Sequence, residues 1–535
     1  MKTKNIYGWL IMMFMVGCQL LYSQDRVHYF KIEPHPGSIL WNVADNMNMW
    51  DLKQWHEPME KEADDHFRRN LPFVRYIQLM TACGGNEQRD LFKNPLDRTV
   101  TDDYDFSPLV RACRNILKQG LIPHLKLGNV PLKYSEDPQI SADFGVNVCP
   151  PYDYNLWHGY IKALLRSLVD DFGLKTVQGW RFGVLTEYEN KSWFSVGDDP
   201  EKTKEAYFTL YDYTVDALEQ VLGKSICVGA HSMTVSDGLW DEREFIAHCA
   251  RGKNRCTGKT GTRLCFLAGS YYELSPGMPN ERTLPETINE LRDAATKEGL
   301  DDLFYGIDEG RILDGTDKKP IDPRAVGQTW QAAFDARMYH LMLDENIDYF
   351  SHWWYTTNGI LNGIPSVAMH TSGLFYKLAG SARLGITSET EDSKVQKTGA
   401  IAAINKQQNK LFLLFYAYSD SVSDNGNREI VCEIPGFGKN KNQVTAISTL
   451  ISDDTNFFDD WLADWSRLRI SNDDFKWSSD SFVIKPDLIG EENLSHYMSY
   501  ASLKPVKELL NIENSVLTIR KSIPVHGVLL YEIDL

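Results

Sequence analysis

The feature that most constrains this chain is an alternation. Eight short apolar runs, SILWNVAD (38–45), FVRYIQLMT (73–81), LIPHLKLGNV (121–130), VQGWRFGVLT (177–186), SICVGAHSM (225–233), LCFLAGSYY (264–272), LFYGIDEG (303–310) and DYFSHWWY (348–355), are separated by longer amphipathic segments. In NLWHGYIKALLRSLVDDFG, Trp157, Tyr160, Ile161, Leu164, Leu165, Leu168 and Val169 recur at three- and four-residue steps, the period of a helix with one buried face. Gly173 follows as a C-terminal cap. FSPLVRACRNILKQG repeats the pattern and closes on Gly120, and AVGQTWQAAFDARMYHLMLDEN supplies a helix before the eighth run. Strands that alternate with helices pair in parallel, and eight such units predict a closed (β/α)8 barrel. An open doubly wound sheet would want a glycine-rich phosphate turn after its first strand, and WNVADNMNMW has none.

The pattern changes near residue 383. KLFLLFYAYSD, REIVCEIPGF, NQVTAISTLIS, SFVIKPDL, SVLTIRKSI and VHGVLLYEIDL are strand-like runs separated by Gly, Asn, Asp and Ser turns, as in an antiparallel β-sandwich. NFFDDWLADWSRLRI interrupts them as a loop or short helix. A chain of 535 residues exceeds one ordinary core. The expected division is a barrel over 37–383 and a sandwich over 384–535.

The first residues, MKTKNIYGWLIMMFMVGCQLLYSQ, place two lysines before an apolar run and polar residues after it. This predicts an export signal over 1–23, ended by cleavage near Ser23 or by lipidation at Cys18 of MVGC. A periplasmic, cell-surface or secreted location follows. The net charge of −17 argues against nucleic acid or an anionic membrane surface as the main partner. Of nine cysteines, Cys249 and Cys256 flank a polar loop and are the expected bridge, whereas Cys83, Cys227 and Cys265 lie in apolar runs as buried thiols. With neither CxxC nor HExxH spacing, no transition-metal site is expected.

A barrel presents its chemistry at the C-terminal ends of its strands. The fourth run ends VLTEYE and the seventh YGIDEG, so Glu187 or Glu189 faces Glu309 or Asp308 across one pocket. Two carboxyl groups on opposite sides of a sugar carbon are the minimum apparatus for breaking a glycosidic bond. One can be neutral while the other is ionised, because each charge raises its neighbour's pKa. Aromatic strand ends suit sugar rings: Tyr271 and Tyr272 end the sixth run, and Trp353 and Trp354 end the eighth. Arg75 is expected at the floor of the pocket, keeping a carboxylate ionised. His124, His158 and His231 are each either structural or substrate contacts.

Several segments resemble glycoside hydrolases of clan A, and within it family 39, the β-xylosidases and α-L-iduronidases. GLIPHLKLGNVP (120–131) resembles that family's third strand, GWRFGVLTEYENKSWF (179–194) its fourth, LFYGIDEGRIL its seventh, and DYFSHWWYTTNGILNGIPSVAMHTSGLFYKLAG (348–380) its eighth. The resemblance implies Glu187 as general acid/base, Glu309 as nucleophile, retention of configuration, and a carbohydrate substrate without a cofactor. It also implies that Trp193 or Phe194 shapes a neighbouring subsite, and that an N-terminal strand over 24–36 completes the sandwich. In one respect the chain departs from the clan: Thr186 stands where an Asn normally grips the sugar 2-hydroxyl. A carbohydrate-binding barrel without turnover is the alternative this departure supports.

Overall fold

The computed structural model describes residues 27–49, 71–234, 236–275, 278–279, 281–312, 327–352, 360–361, 364–389, 396–438, 441–468 and 490–535. The leader, Cys18, the SFVIKPDL run, Trp353 and Trp354 lie outside them.

A long first strand, β1 (Val27–Ile39), precedes eight barrel strands. These are β2 (Asn46–Met49), β3 (Tyr76–Leu79), β4 (Ile122–Leu127), β5 (Arg181–Val184), β6 (Cys227–Ser232), β7 (Phe266–Ser275), β8 (Phe304–Ile312) and β9 (Tyr349–His352). Each pairs in parallel with the next, and β9 pairs back onto β2, which closes the (β/α)8 barrel. A helix of ten or more residues follows each strand from β3 onward: α1 (Ser107–Lys118), α2 (Tyr154–Phe172), α3 (Pro200–Leu222), α4 (Glu242–Arg251), α5 (Leu284–Lys297), α6 (Trp330–Asp344) and α7 (Val367–Leu378). Their starts are written in the sequence. Asp153 and Asp199 accept from the backbone N–H of Asn155 and Lys202, and Thr283 and Glu286 form a capping box. Gly173 ends α2 at φ 82°, a conformation that costs glycine least.

Large side chains fill the barrel interior by lying over glycines of adjoining strands. A Cβ on Gly229 would lie 2.5 Å from the Phe266 ring, one on Gly183 2.7 Å from Lys126 Cδ, and one on Gly306 2.1 Å from Tyr349 Cζ. Lower down, the Arg181 guanidinium lies 4.0 Å from the Tyr76 ring centre and 4.2 Å from that of Tyr349. This cation is held by aromatic faces in a water-poor interior.

Two expectations need correction. The first barrel strand is Asn46–Met49, not the apolar run 38–45. That run ends β1 and turns, leaving Ile39 59% and Trp41 64% exposed. The real strand hides its nature because its inward residues are asparagines. Asn48 Nδ2 donates to the Asp308 carbonyl at 2.9 Å, and Asn46 Nδ2 lies 3.2 Å from His124 Nδ1. The Cys249–Cys256 bridge is also absent, since all eight described cysteines are free. Cys249 points from α4 into the core, while Asn254 and Asp212 hold the following loop so that Cys256 faces α2 and α3.

The second unit comprises β10 (Ala382–Ser388), β11 (Gln396–Asn405), β12 (Lys410–Ser419), β13 (Asn427–Pro435), β14 (Gln443–Ile451), β15 (Val506–Glu513), β16 (Val516–Pro524) and β17 (Val528–Asp534). With β1 the hydrogen bonding runs round a closed ring, β1-β10-β11-β12-β17-β14-β15-β16-β13. β1 pairs antiparallel with β10 and parallel with β13, so the N-terminal strand joins the C-terminal sheet. Inward residues such as Phe30, Leu413, Cys432 and Ile519 form a core of their own. Outward residues Phe412, Leu414, Tyr416 and Leu530 continue the core of the barrel, and Trp330 Nε1 of α6 donates to Ser419 O at 3.0 Å. Such a broad apolar contact makes the two units one body.

An excursion from the second unit returns to the barrel. Its helices α8 (Phe458–Arg467) and α9 (Glu491–Tyr500) bury Phe457, Phe458, Trp461 and Tyr497 against Ile364. Asn456 Nδ2 donates to Gly327 O at 3.0 Å, and His370 Nε2 lies 2.6 Å from Ala501 O. These contacts adjoin the first turns of α6 and α7, hence the C-terminal end of the barrel. Within NFFDDWLADWSRLRI, Phe458–Arg467 is thus a helix that braces the working end.

Candidate active site

At that end the fourth strand stops earlier than its apolar run. β5 closes at Val184, and Leu185 and Glu187 take left-handed backbone, φ 62° and 43°. Strained turns of this kind gather at functional sites. The turn swings Glu187 inward: its Oε1 accepts from Ser270 Oγ at 2.6 Å and its Oε2 from Asn190 Nδ2 at 2.7 Å. Glu189 goes elsewhere. Fully buried, it accepts from Ser232 Oγ and from Met233 N, tying the turn to the end of β6.

The seventh strand separates its two acids by a bulge. Gly269 pairs with Ile307 and Ser270 with Glu309, so Asp308 is the extra residue. A bulge re-aims a side chain that alternation would turn away, and both carboxyl groups face the lumen at different depths. Glu309 lies at the mouth and its Oε1 accepts from Tyr272 OH at 2.6 Å. Asp308 lies below, accepting from Tyr349 OH at 2.6 Å and paired with Lys126. Neither side chain of the Lys126–Asp308 pair reaches solvent. Gln78 Nε2 donates to Asn48 Oδ1 at 2.6 Å and to the Asp308 carbonyl at 3.2 Å, fixing the bulge from below.

The outcome is a compact acid pair. One carboxylate oxygen of Glu187, one of Glu309 and a ring nitrogen of His231 lie within 4.8 Å of one another. Burial and the Glu187 charge push the Glu309 carboxyl up to about 8, against Tyr272 and Lys126. Burial likewise raises Glu187, against its bonds from Ser270 and Asn190. Two carboxyl groups this close titrate as a coupled pair, because ionising one opposes ionising the other. Burial and Lys126 hold His231 far below its ordinary value, so it is a neutral imidazole, with Nε2 2.9 Å from Ser270 Oγ. Burial opposes ionisation of Asp308 too, but Lys126 overrides it and keeps that carboxyl well below the usual range. Glu187, His231 and Glu309 have the donor types to hold a divalent cation, although three of their four carboxylate oxygens already accept hydrogen bonds.

The remaining sequence candidates divide. Tyr272 and His231 are in the cluster. Thr186 is buried beside Glu187, and its hydroxyl meets no partner among the described residues. Arg75 is exposed at the N-terminal end of β3, stacked on Tyr76 at 5.2 Å; Lys126 fills the electrostatic place expected of it. His124, two residues before Lys126 on the same face of β4, is fully buried beneath that pair and cannot reach a ligand. Tyr271 alternates outward and donates to Glu273 Oε1 at 3.3 Å, beside Arg337 of α6. Trp193 is 1% exposed and stacked on Phe144 at 4.3 Å, so neither face is open to a sugar; its indole N–H favours the ionised Glu187 instead. Sequence reasoning missed Lys126, Ser270 and Asn190. A lysine inside the apolar run LIPHLKLGNV was the available signal for the first.

Comparison with known proteins agrees with this geometry. The sequence model described as Glycosyl hydrolases family 39 matches residues 87–276, which include Glu187 and stop before Glu309. A β-xylosidase of Geobacillus stearothermophilus is 23% identical over 292 residues, 51% of this chain and 53% of the relative. An α-1,4-L-rhamnosidase of Formosa agariphila is 33% identical over 136 residues, 24% of this chain and 26% of the relative. The chain therefore spans between about a quarter and two thirds of the length of the curated relatives it matches. A solved family 39 enzyme of Xanthomonas axonopodis pv. citri has the same fold, with a TM-score of 0.66 at 14% identity over 96% of this chain and 98% of that one. In matched sequence and in fold, this chain is similar to the glycoside hydrolases of family 39.

Proposed function

We propose that the protein is an exported, retaining glycoside hydrolase acting on oligosaccharide or polysaccharide chains. One observation carries the reading: Glu187 and Glu309 arrive from different strands with oxygens within 4.8 Å, each with its own hydrogen-bond donors. Retaining enzymes hold their carboxyl groups about 5–5.5 Å apart, whereas inverting ones leave about 6.5–9.5 Å for a water. In the first step the proton of the pair, placed on Glu187, passes to the departing glycosidic oxygen while the Glu309 carboxylate attacks the anomeric carbon. In the second, Glu187 takes a proton from water as that water releases the sugar from Glu309. Tyr272 orients the nucleophile. Lys126 stabilises its charge from below, and the neutral His231 holds Ser270 against Glu187. Export is read from the leader-like segment 1–23, and cell fractionation tests it.

The functional test is hydrolysis of a glycoside panel that begins with β-D-xylosides and α-L-rhamnosides, the sugars in the relatives' names. Glu187→Ala should slow substrates with poor leaving groups far more than activated aryl glycosides, since only the former need the proton. Equal slowing of both would overturn the acid/base role. Sugar binding without release from any panel member would favour the carbohydrate-binding alternative.

A further inference from the structure

We propose that His158, Asp216 and Cys256 form a zinc-type metal site on the outer face of the barrel, away from the acid pair. The three come from separate elements: His158 from α2, Asp216 from α3, and Cys256 from the loop after α4. One donor atom from each lies within 4.8 Å of the others. Tetrahedral zinc, with bonds of about 2.0–2.3 Å, sets its donors roughly 3.3–3.8 Å apart, so modest side-chain rotation closes the site. Imidazole, carboxylate and thiolate together select zinc-like ions over calcium or magnesium. Three protein donors leave the fourth position to water.

The surroundings favour a built site over a chance meeting. The loop bearing Cys256 is fixed without a metal: Asp212 accepts from Arg255 N at 2.7 Å and from Thr262 Oγ1 at 2.5 Å, and Asn254 Oδ1 accepts from Cys256 N at 3.0 Å. Behind Asp216, Gln220 Nε2 donates to Oδ2 at 2.6 Å, and Lys162 Nζ in turn donates to Gln220 Oε1 at 3.3 Å. Outer contacts of this kind orient metal ligands. His158 and Asp216 are 13% and 15% exposed, dry enough for strong coordination and open enough for entry. Without metal, His158 Nε2 lies 2.8 Å from Asp216 Oδ2, and burial and the Asp216 charge hold the thiol up to about 12. Binding replaces the Cys256 S–H bond by a metal–thiolate bond, sends that proton to solvent, and breaks the His158–Asp216 hydrogen bond. No electron is transferred. The metal would add a further tie between the 252–262 loop, already held to α3 through Asp212, and α2.

The test is Co2+ and Zn2+ titration of the full-length protein. One cobalt per chain with a thiolate-to-metal charge-transfer band is expected, and zinc should displace it. Cys256→Ser should abolish the band, and Cys256→Ser and His158→Ala should each weaken zinc binding by at least ~100-fold. Cys256→Ser should leave any glycosidase activity unchanged. In the unaltered protein, zinc should shield Cys256 from iodoacetamide, read by peptide mass spectrometry. Absence of the band, zinc affinity unchanged in both variants, or alkylation unaffected by zinc would each overturn the proposal. A cobalt spectrum without sulfur character would place the ion at Glu187, His231 and Glu309 instead, and would likewise overturn it.

Discussion

Replacing Lys126 by Met removes the buried cation paired with Asp308 beneath the acid pair while keeping most of the length of the side chain. Lys126 and Asp308 are both without solvent contact, and Tyr349 would remain as the side-chain donor to Asp308, at 2.6 Å. Stripping one partner from a buried ion pair costs about 3–5 kcal/mol, because the other charge is left in a low-dielectric site. Lys126→Met should therefore be destabilised by about that much. The double variant Lys126→Met/Asp308→Asn should lose less than the single one, because no lone charge remains. Urea unfolding of the four proteins gives this cycle directly. A second readout is catalytic. The Lys126 charge favours ionised Glu309, so its loss raises the Glu309 pKa and moves the acidic limb of kcat/KM upward in pH. Lys126→Met within ~1 kcal/mol of the parent, additive behaviour in the cycle, and an unmoved limb would together refute the electrostatic reasoning.

Tyr272→Phe deletes the O–H that Glu309 accepts at 2.6 Å; a bond to a charged group is worth ~1.5–3 kcal/mol, so kcat should fall by about 10–100-fold, with the acidic limb again moving up. Gly306→Ala forces a Cβ to 2.1 Å from the Tyr349 ring and should cost at least ~1–3 kcal/mol in unfolding experiments. Gly373→Ala, in open space on α7, should be neutral or gain about 0.5–1 kcal/mol. Glu189 is held at about 8 by burial and by Glu242, so the folded state binds a proton that the unfolded state releases above its ordinary carboxylate pKa. Stability from this group is full below the unfolded value and declines as pH rises toward 8; Glu189→Gln should flatten that decline in pH-dependent denaturation.

What could be read from the sequence was what a period reveals. Strands β3, β4, β5, β6 and β9 sit inside their apolar runs, β7 and β8 begin inside theirs and extend past the C-terminal end, and α2 and α1 close at Gly173 and Gly120, because burial on one face leaves a repeat. β2 was misplaced because a barrel lumen can be polar: Asn46 and Asn48 face inward and bond other strands, so the strand has no apolar signature. The acids stood at the expected strand ends, but two non-periodic features separate each from its neighbour. A left-handed turn divides Glu187 from Glu189, and a bulge divides Glu309 from Asp308. Neither leaves a mark in residue spacing. Arg75 and Lys126 illustrate the same limit: two cations lie in similar apolar runs, one at the bottom rim and the other at the centre. Only the register of β3 against β4 and of their neighbours separates them. Tyr271 and Tyr272 are adjacent, and strand alternation alone sends one outward to Glu273 and the other to Glu309.

The central claim is that Glu309 forms a covalent bond to the sugar while Glu187 carries the proton. Incubation with a 2-deoxy-2-fluoro glycosyl fluoride of a substrate sugar, followed by peptide mass spectrometry, tests it most directly. The account predicts one sugar per chain, attached to the peptide containing Glu309, and slow recovery of activity as water releases it. A label on Asp308 or Glu187, or turnover of the parent substrate with no label anywhere, would contradict it.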